Sequence, residues 1–175
     1  ATSSGDTLPS DDQLLEHAGE WIIKYDNGSF SGQIIDPGYP QARAYVIKVL
    51  MEIVNNYDVD GILMDDYFYP YGGTTNQDAA SVEKYKPADM NVGDWRRQNV
   101  NMMIKDVYDT IQAVKPWVTF GVSPFGIWTT DSNVARKRGI RLPSGISGGN
   151  MYAEIYCDPI AWLEQGTVDY ISPQL

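Results

Sequence analysis

The sequence predicts an α/β fold built on parallel strands, and three observations carry that expectation. Two amphipathic helical segments, Tyr45–Val54 and Asp94–Ile111, alternate with the short apolar runs Gly61–Met64 and Val118–Val122. A third helix-then-strand unit, Asp158–Gln165 followed by Val168–Pro173, completes a β-α-β-α-β order, which requires parallel strands joined by right-handed crossovers. Long loops carrying charged and aromatic residues follow the strands, and no glycine-rich phosphate loop follows any of them. Active sites of (β/α)₈ TIM barrels gather in such loops at the C-terminal strand ends, so the pattern reads as a barrel segment.

In chain order, residues 1–20 read as an irregular lead-in with one short helix around Asp11–Ala18. Trp21–Tyr25 is strand-like, Asp26-Asn27-Gly28 is a turn signal and Ser29–Ile35 returns, which makes 21–35 a candidate hairpin. Asp36-Pro37-Gly38-Tyr39-Pro40 is a turn ending in a proline suited to a helix start, and the βα units occupy 41–175. In the first helix Tyr45, Val46, Val49, Leu50, Ile53 and Val54 recur at the helical period and predict one buried face. Gly61–Met64, closed by Asp65 and Asp66, reads as a strand buried on both faces. Tyr67–Gly93 is a connection of a length that usually signals function.

Asp94 is the expected N-cap of the second helix, with Val100, Met103, Ile104, Val107, Tyr108 and Ile111 on one stripe. Val118–Pro124 is the next strand, and a polar, glycine-rich loop runs from Phe125 to about Tyr156. Asp158-Pro159 caps a third helix that Gly166 ends. A full barrel has eight strands in roughly 200–250 residues. Three core strands in 175 residues read as one partial barrel domain, a piece of a longer enzyme that is expected to be inactive alone.

Composition narrows the chemistry. A formal net charge of −10 disfavours nucleic acid as a partner. No apolar run is long enough for a transmembrane segment, and Ala1–Asp6 is no intact signal peptide. One cysteine, Cys157, excludes an internal disulfide, which suits cytoplasm, periplasm and cell surface alike. One histidine, His17, excludes a zinc site built on several imidazoles and gives no motif for a Ser-His or Cys-His pair. Carboxylates and aromatics are plentiful, with 12 Tyr, 5 Trp and 4 Phe. Carboxylates to move protons and aromatic platforms for sugar rings are glycosidase equipment, and neither needs a metal or cofactor.

Three motifs carry a family resemblance: Asp60–Pro70 (DGILMDDYFYP), Asp94–Asn101 (DWRRQNVN) and Phe120–Trp128 (FGVSPFGIW). Together with the closing Asp169–Leu175 (DYISPQL) they resemble the glycosyl-hydrolase-like family 10, over roughly residues 20–175 and in the right order. The resemblance implies a TIM barrel of which this chain holds about strands four to six. It also implies a bacterial exported protein of the periplasm, cell surface or extracellular space, in a family that includes lipoproteins acting on glycan strands. The signal segment is not in this chain. Position 63 is Leu where relatives often carry His, on the same strand face as Asp65.

The candidate catalytic residues are Asp65 and Asp66. Adjacent strand residues point to opposite faces, so the two cannot form one retaining pair, whose carboxyl groups stand about 5–5.5 Å apart across a sugar. Asp65 is the preferred nucleophile or stabiliser of oxocarbenium-like charge. Asp66 is expected to orient a neighbour, either Arg96 or a loop amide, and a second acting carboxylate would come from another strand end. Candidate substrate contacts are Tyr67, Tyr69, Trp95, Arg96, Trp128, Glu154, Tyr156 and Gln174. The expected function is cleavage of glycosidic bonds in an oligo- or polysaccharide, cell-wall glycan included. The alternatives are a non-catalytic carbohydrate-binding barrel and, further off, a polysaccharide deacetylase.

Overall fold

The computed structural model describes residues 19–26, 28–29 and 31–175. The helix expected around Asp11–Ala18, and His17, lie outside the described residues. Strands β1 (Ile22–Asp26) and β2 (Ser31–Ile35) pair antiparallel, with Ile22 opposite Ile35 and Asp26 opposite Ser31. At the turn, the Asp26 carboxylate accepts from the Gly28 amide at 3.0 Å, and Gly28 takes φ 83°, a conformation that suits glycine.

The second sheet holds β3 (Gly61–Asp65), β4 (Thr119–Ser123) and β5 (Tyr170–Ile171), all parallel and in that order. Between β3 and β4 the chain makes α2 (Ala79–Tyr85) and the long α3 (Val92–Val114). Helix α1 (Pro40–Asn56) precedes β3. Between β4 and β5 come α4 (Ser132–Lys137), α5 (Met151–Glu154) and α6 (Pro159–Gln165). Both long loops of the sequence therefore carry short helices.

One face of the parallel sheet makes the core. Ile62, Phe120 and Val122 pack against Met51 and Val54 of α1 and against Val100, Ile104, Val107 and Ile111 of α3. Trp162 of α6 closes the cluster edge-on to Phe68, with ring centroids 5.8 Å apart. Each fully buried aliphatic side chain here contributes roughly 1.5–3 kcal/mol of transfer free energy. The other face carries Leu63, 54% exposed, with Asp65, Thr119 and Tyr170. β3 is thus buried on one face among the described residues, not on both, because all the helices packed on it lie on the Ile62 side. Gly121 is required on the open face: an added Cβ would stand 2.4 Å from the Tyr170 ring.

Two helix expectations change. Val49 and Ile53 are 41% and 39% exposed, since α1 buries a stripe through Val46, Leu50, Met51 and Val54 instead. Asn91, not Asp94, caps α3: its side chain accepts from the Asp94 amide at 2.9 Å, and the Asp94 carboxylate accepts in return from Asn91 Nδ2. This is a reciprocal cap with an acid in the first turn, where the helix dipole favours it. Asp158 does cap α6, accepting from the Ala161 amide, and Gly166 ends it in the left-handed conformation.

Candidate active site at the strand ends

Three parallel strand ends are laced together around Asp65. Asp65 pairs in register with Ser123, and Phe125 bridges to Gln174 beyond β5. The Gln174 amide nitrogen then reaches back across the sheet. It donates to Asp65 Oδ1 at 2.8 Å and to the Ser123 carbonyl at 2.8 Å. Asp65 Oδ1 also accepts from the Asp66 amide at 2.8 Å. Asp65 is exposed, and among the described residues its Oδ2 has no hydrogen-bond partner. One carboxylate oxygen is therefore held by two donors and the other is left without one, on an exposed residue that lines a cavity with Arg43 and Tyr67.

Asp66 faces the other way and is fully buried. Its oxygens accept from the Tyr71 hydroxyl at 2.8 and 2.9 Å and from the Phe125 amide at 2.7 Å. Burial pushes its pKa up, while the Tyr71 and Phe125 bonds act the opposite way. Burial, and then donation to Asp66, push the Tyr71 phenol upward as well. Asp66 thus ties the loop after β3 to the loop after β4, and its partner is the loop amide, not Arg96.

Arg96 makes a different site. Its Nε lies 2.7 Å from Asp78 Oδ2 and its Nη2 2.5 Å from Asp78 Oδ1, a bidentate pair in which both side chains are buried. Arg96 Nη1 donates to the Thr74 carbonyl at 2.9 Å and to the Tyr156 hydroxyl at 2.6 Å. Tyr156 takes φ 57°, a strained conformation for a residue other than glycine, and its ring packs edge-on to Tyr69 at 4.9 Å. Close by, Asp36 accepts from the Ser81 hydroxyl at 2.6 Å and from the Gly38 amide at 2.7 Å. Its pKa is pushed up to about 6, by burial first and by Asp78 in part, against the Ser81 and Gly38 bonds and Arg96.

The sequence candidates therefore divide. Asp65, Tyr67 and Gln174 stand at the strand-end rim, Tyr67 being 58% exposed. Trp95, Arg96, Tyr69 and Tyr156 are buried and act in packing and in the ion pair, so they present no surface to a ligand. Glu154 Oε1 accepts from the Asn150 amide at the start of α5, which makes it a partner in that turn. Trp128 is half-buried and stacks edge-on to Tyr152 at 5.6 Å. Sequence reasoning missed Asp36 and Asp78, whose roles depend on partners distant in the chain. It also missed Tyr25 and Phe125 as neighbours of the rim. Among the described residues no group of three His, Cys, Asp or Glu side chains gathers as a metal-ligand set, and no helix is long and apolar enough to cross a membrane.

A parallel α/β sheet with an oriented carboxylate at its C-terminal edge is consistent with part of a glycosyl hydrolase-like domain. The sequence matches the model of the family Glycosyl hydrolase-like 10 over residues 7–175, and the chain belongs to that family. It is similar to glycosyl hydrolase YngK of Bacillus subtilis, 38% identical over 169 residues that cover 95% of this chain and 31% of that protein. It is also similar to glycosyl hydrolase DigH of Escherichia coli, 39% identical over 143 residues, 81% of this chain and 31% of that protein. The chain thus spans about a third of the length of these relatives.

Proposed function

We propose that these residues form the strand-four-to-six segment of a (β/α)₈ barrel in an exported glycoside hydrolase, with Asp65 as its acting carboxylate. The observation that carries this reading is the posture of Asp65. Gln174 and the Asp66 amide hold one oxygen while the other has no hydrogen-bond partner among the described residues. A carboxylate oriented in this way is equipped to attack an anomeric carbon or to stabilise the positive charge that develops there. Asp66 is walled off from that space, so the proton donor is a carboxylate from another strand end of the whole protein. The glycan strands of the bacterial cell wall are the leading substrate class, supported by the family membership.

The test is release of new reducing ends by the full-length protein from a panel of cell-wall and plant polysaccharides. The reading requires cleavage of at least one. Binding without any cleavage would replace it by a non-catalytic carbohydrate-binding barrel, and acetate release abolished by a chelator would replace it by a deacetylase.

A further inference from the structure

The hairpin brings to the rim a side chain that the proposed chemistry does not use. Tyr25 of β1 lies against Gly32 of β2, where an added Cβ would stand 2.9 Å from the phenol oxygen. Its ring occupies the space a side chain at 32 would need. Tyr25, Tyr67, Tyr71, Phe125 and Gln174 line one cavity of about 270 Å³. Tyr67 and Tyr71 meet edge-on within it, with centroids 5.3 Å apart. Among the described residues that line it, four of five side chains are aromatic and none is a lysine or arginine.

The polar end of this cavity is rich in acceptors. Both N–H groups of Gln174 are engaged, by Asp65 Oδ1 and the Ser123 carbonyl. That choice of partners fixes the amide orientation, because both are acceptors, and it leaves Oε1 to accept from a ligand. Asp65 accepts from Gln174 and Asp66 from Tyr71, so two of the lining side chains are each backed by an acid.

We propose that this cavity is a subsite for an uncharged pyranose ring, with Tyr25 and Tyr67 as its stacking walls. The proposal rests on the glycoside hydrolase reading and deepens it. Aromatic faces cover the C–H face of a pyranose, and acceptors at the polar end match its hydroxyl donors. A uronate carboxylate placed here finds no lysine or arginine among the described lining residues and lies near Asp65, which is bonded to Gln174, on a chain whose formal net charge is −10. The subsite therefore selects uncharged sugars over acidic ones.

Affinity electrophoresis of the full-length protein through gels holding hydroxyethyl cellulose, glycol chitin or polygalacturonate tests this. The expected result is retardation by at least one of the two uncharged polymers and none by polygalacturonate. Tyr25→Ala weakens that retardation about tenfold, and Tyr25→Phe leaves it within about twofold, a tenfold change being ~1.4 kcal/mol. Tyr67→Ala, altered at an exposed ring, reports the opposite wall without touching the hairpin and is expected to weaken retardation equally. Retardation by polygalacturonate as strong as by the uncharged polymers overturns the proposal, as does retardation unchanged in both alanine variants. If the protein cleaves a glycan but both alanine variants keep wild-type KM, the subsite fails and the hydrolase reading stands. No retardation and no cleavage with any glycan removes both.

Discussion

Gln174 Nε2 lies 2.8 Å from Asp65 Oδ1, joining residues 109 positions apart in the chain across the ends of three parallel strands. The bond helps to fix one oxygen of Asp65, and the other has no hydrogen-bond partner among the described residues. Gln174→Ala leaves only the Asp66 amide on this oxygen and loosens the carboxylate, and misplacing a reacting group by about 1 Å costs on the order of 10²-fold in rate. The full-length variant is expected to lose roughly tenfold to a hundredfold in kcat with an unchanged circular dichroism spectrum. Steady-state kinetics on a cleaved glycan measure it.

Asp66 holds the loop after β3 to the loop after β4 through Tyr71 and the Phe125 amide. Asp66→Ala strips the part-buried Phe125 amide of its acceptor and costs about 1–3 kcal/mol for that unsatisfied donor. Asp66→Asn can rebuild both contacts, with its oxygen on the Phe125 amide and its nitrogen donating to Tyr71. Its cost is expected to stay under about 1 kcal/mol. Urea unfolding midpoints separate the two variants.

Arg96 and Asp78 form a buried bidentate pair that also anchors Tyr156 in its strained conformation. Arg96→Ala leaves the buried Asp78 carboxyl group without its partner, at a cost of about 3–5 kcal/mol. Arg96→Lys keeps the charge but loses the planar fork, and is expected to fall between alanine and wild type. Chemical denaturation checks the order.

Asp36 carries a pH signature. Its pKa is raised by burial to about 6, so the native state holds this proton more tightly than the unfolded chain does. The stability it contributes is complete below about pH 4 and is lost as pH rises through about 6, a total of ~3 kcal/mol. Asp78 adds to the rise and Arg96 opposes it. Asp36→Asn removes the titration, so stability between pH 4 and 7 is expected to decline less steeply than in wild type. Unfolding free energies at each pH give the slope.

What the sequence revealed follows the range of the forces involved. The cap at Asp158 and the stop at Gly166 are local signals, legible within a few residues. The opposed directions of Asp65 and Asp66 follow from the two-residue period of a strand. The start of α3 was misplaced because Asn91 and Asp94 are both good capping residues, and only their mutual bonds distinguish cap from third helical residue. The exposed Val49 and Ile53 show that helical period alone does not say which flank of an apolar stripe meets a neighbour. Arg96 is bound to Asp78, 18 residues earlier in a loop whose path the pair itself sets, so no local pattern could name its partner. Tyr25 reaches the rim only because the hairpin docks beside Tyr67 and Tyr71.

The most direct test compares Asp65→Asn with Asp66→Asn in the full-length protein, scoring turnover of a cleaved glycan beside binding of the same glycan. The account predicts that Asp65→Asn lowers kcat by at least roughly 10²–10³-fold, the range for removing one group that stabilises transition-state charge, with binding retained. Asp66→Asn is expected to stay within about tenfold of wild type, since its carboxyl group only holds loops. Near wild-type turnover in Asp65→Asn, or a dead Asp66→Asn beside an active Asp65→Asn, would contradict it.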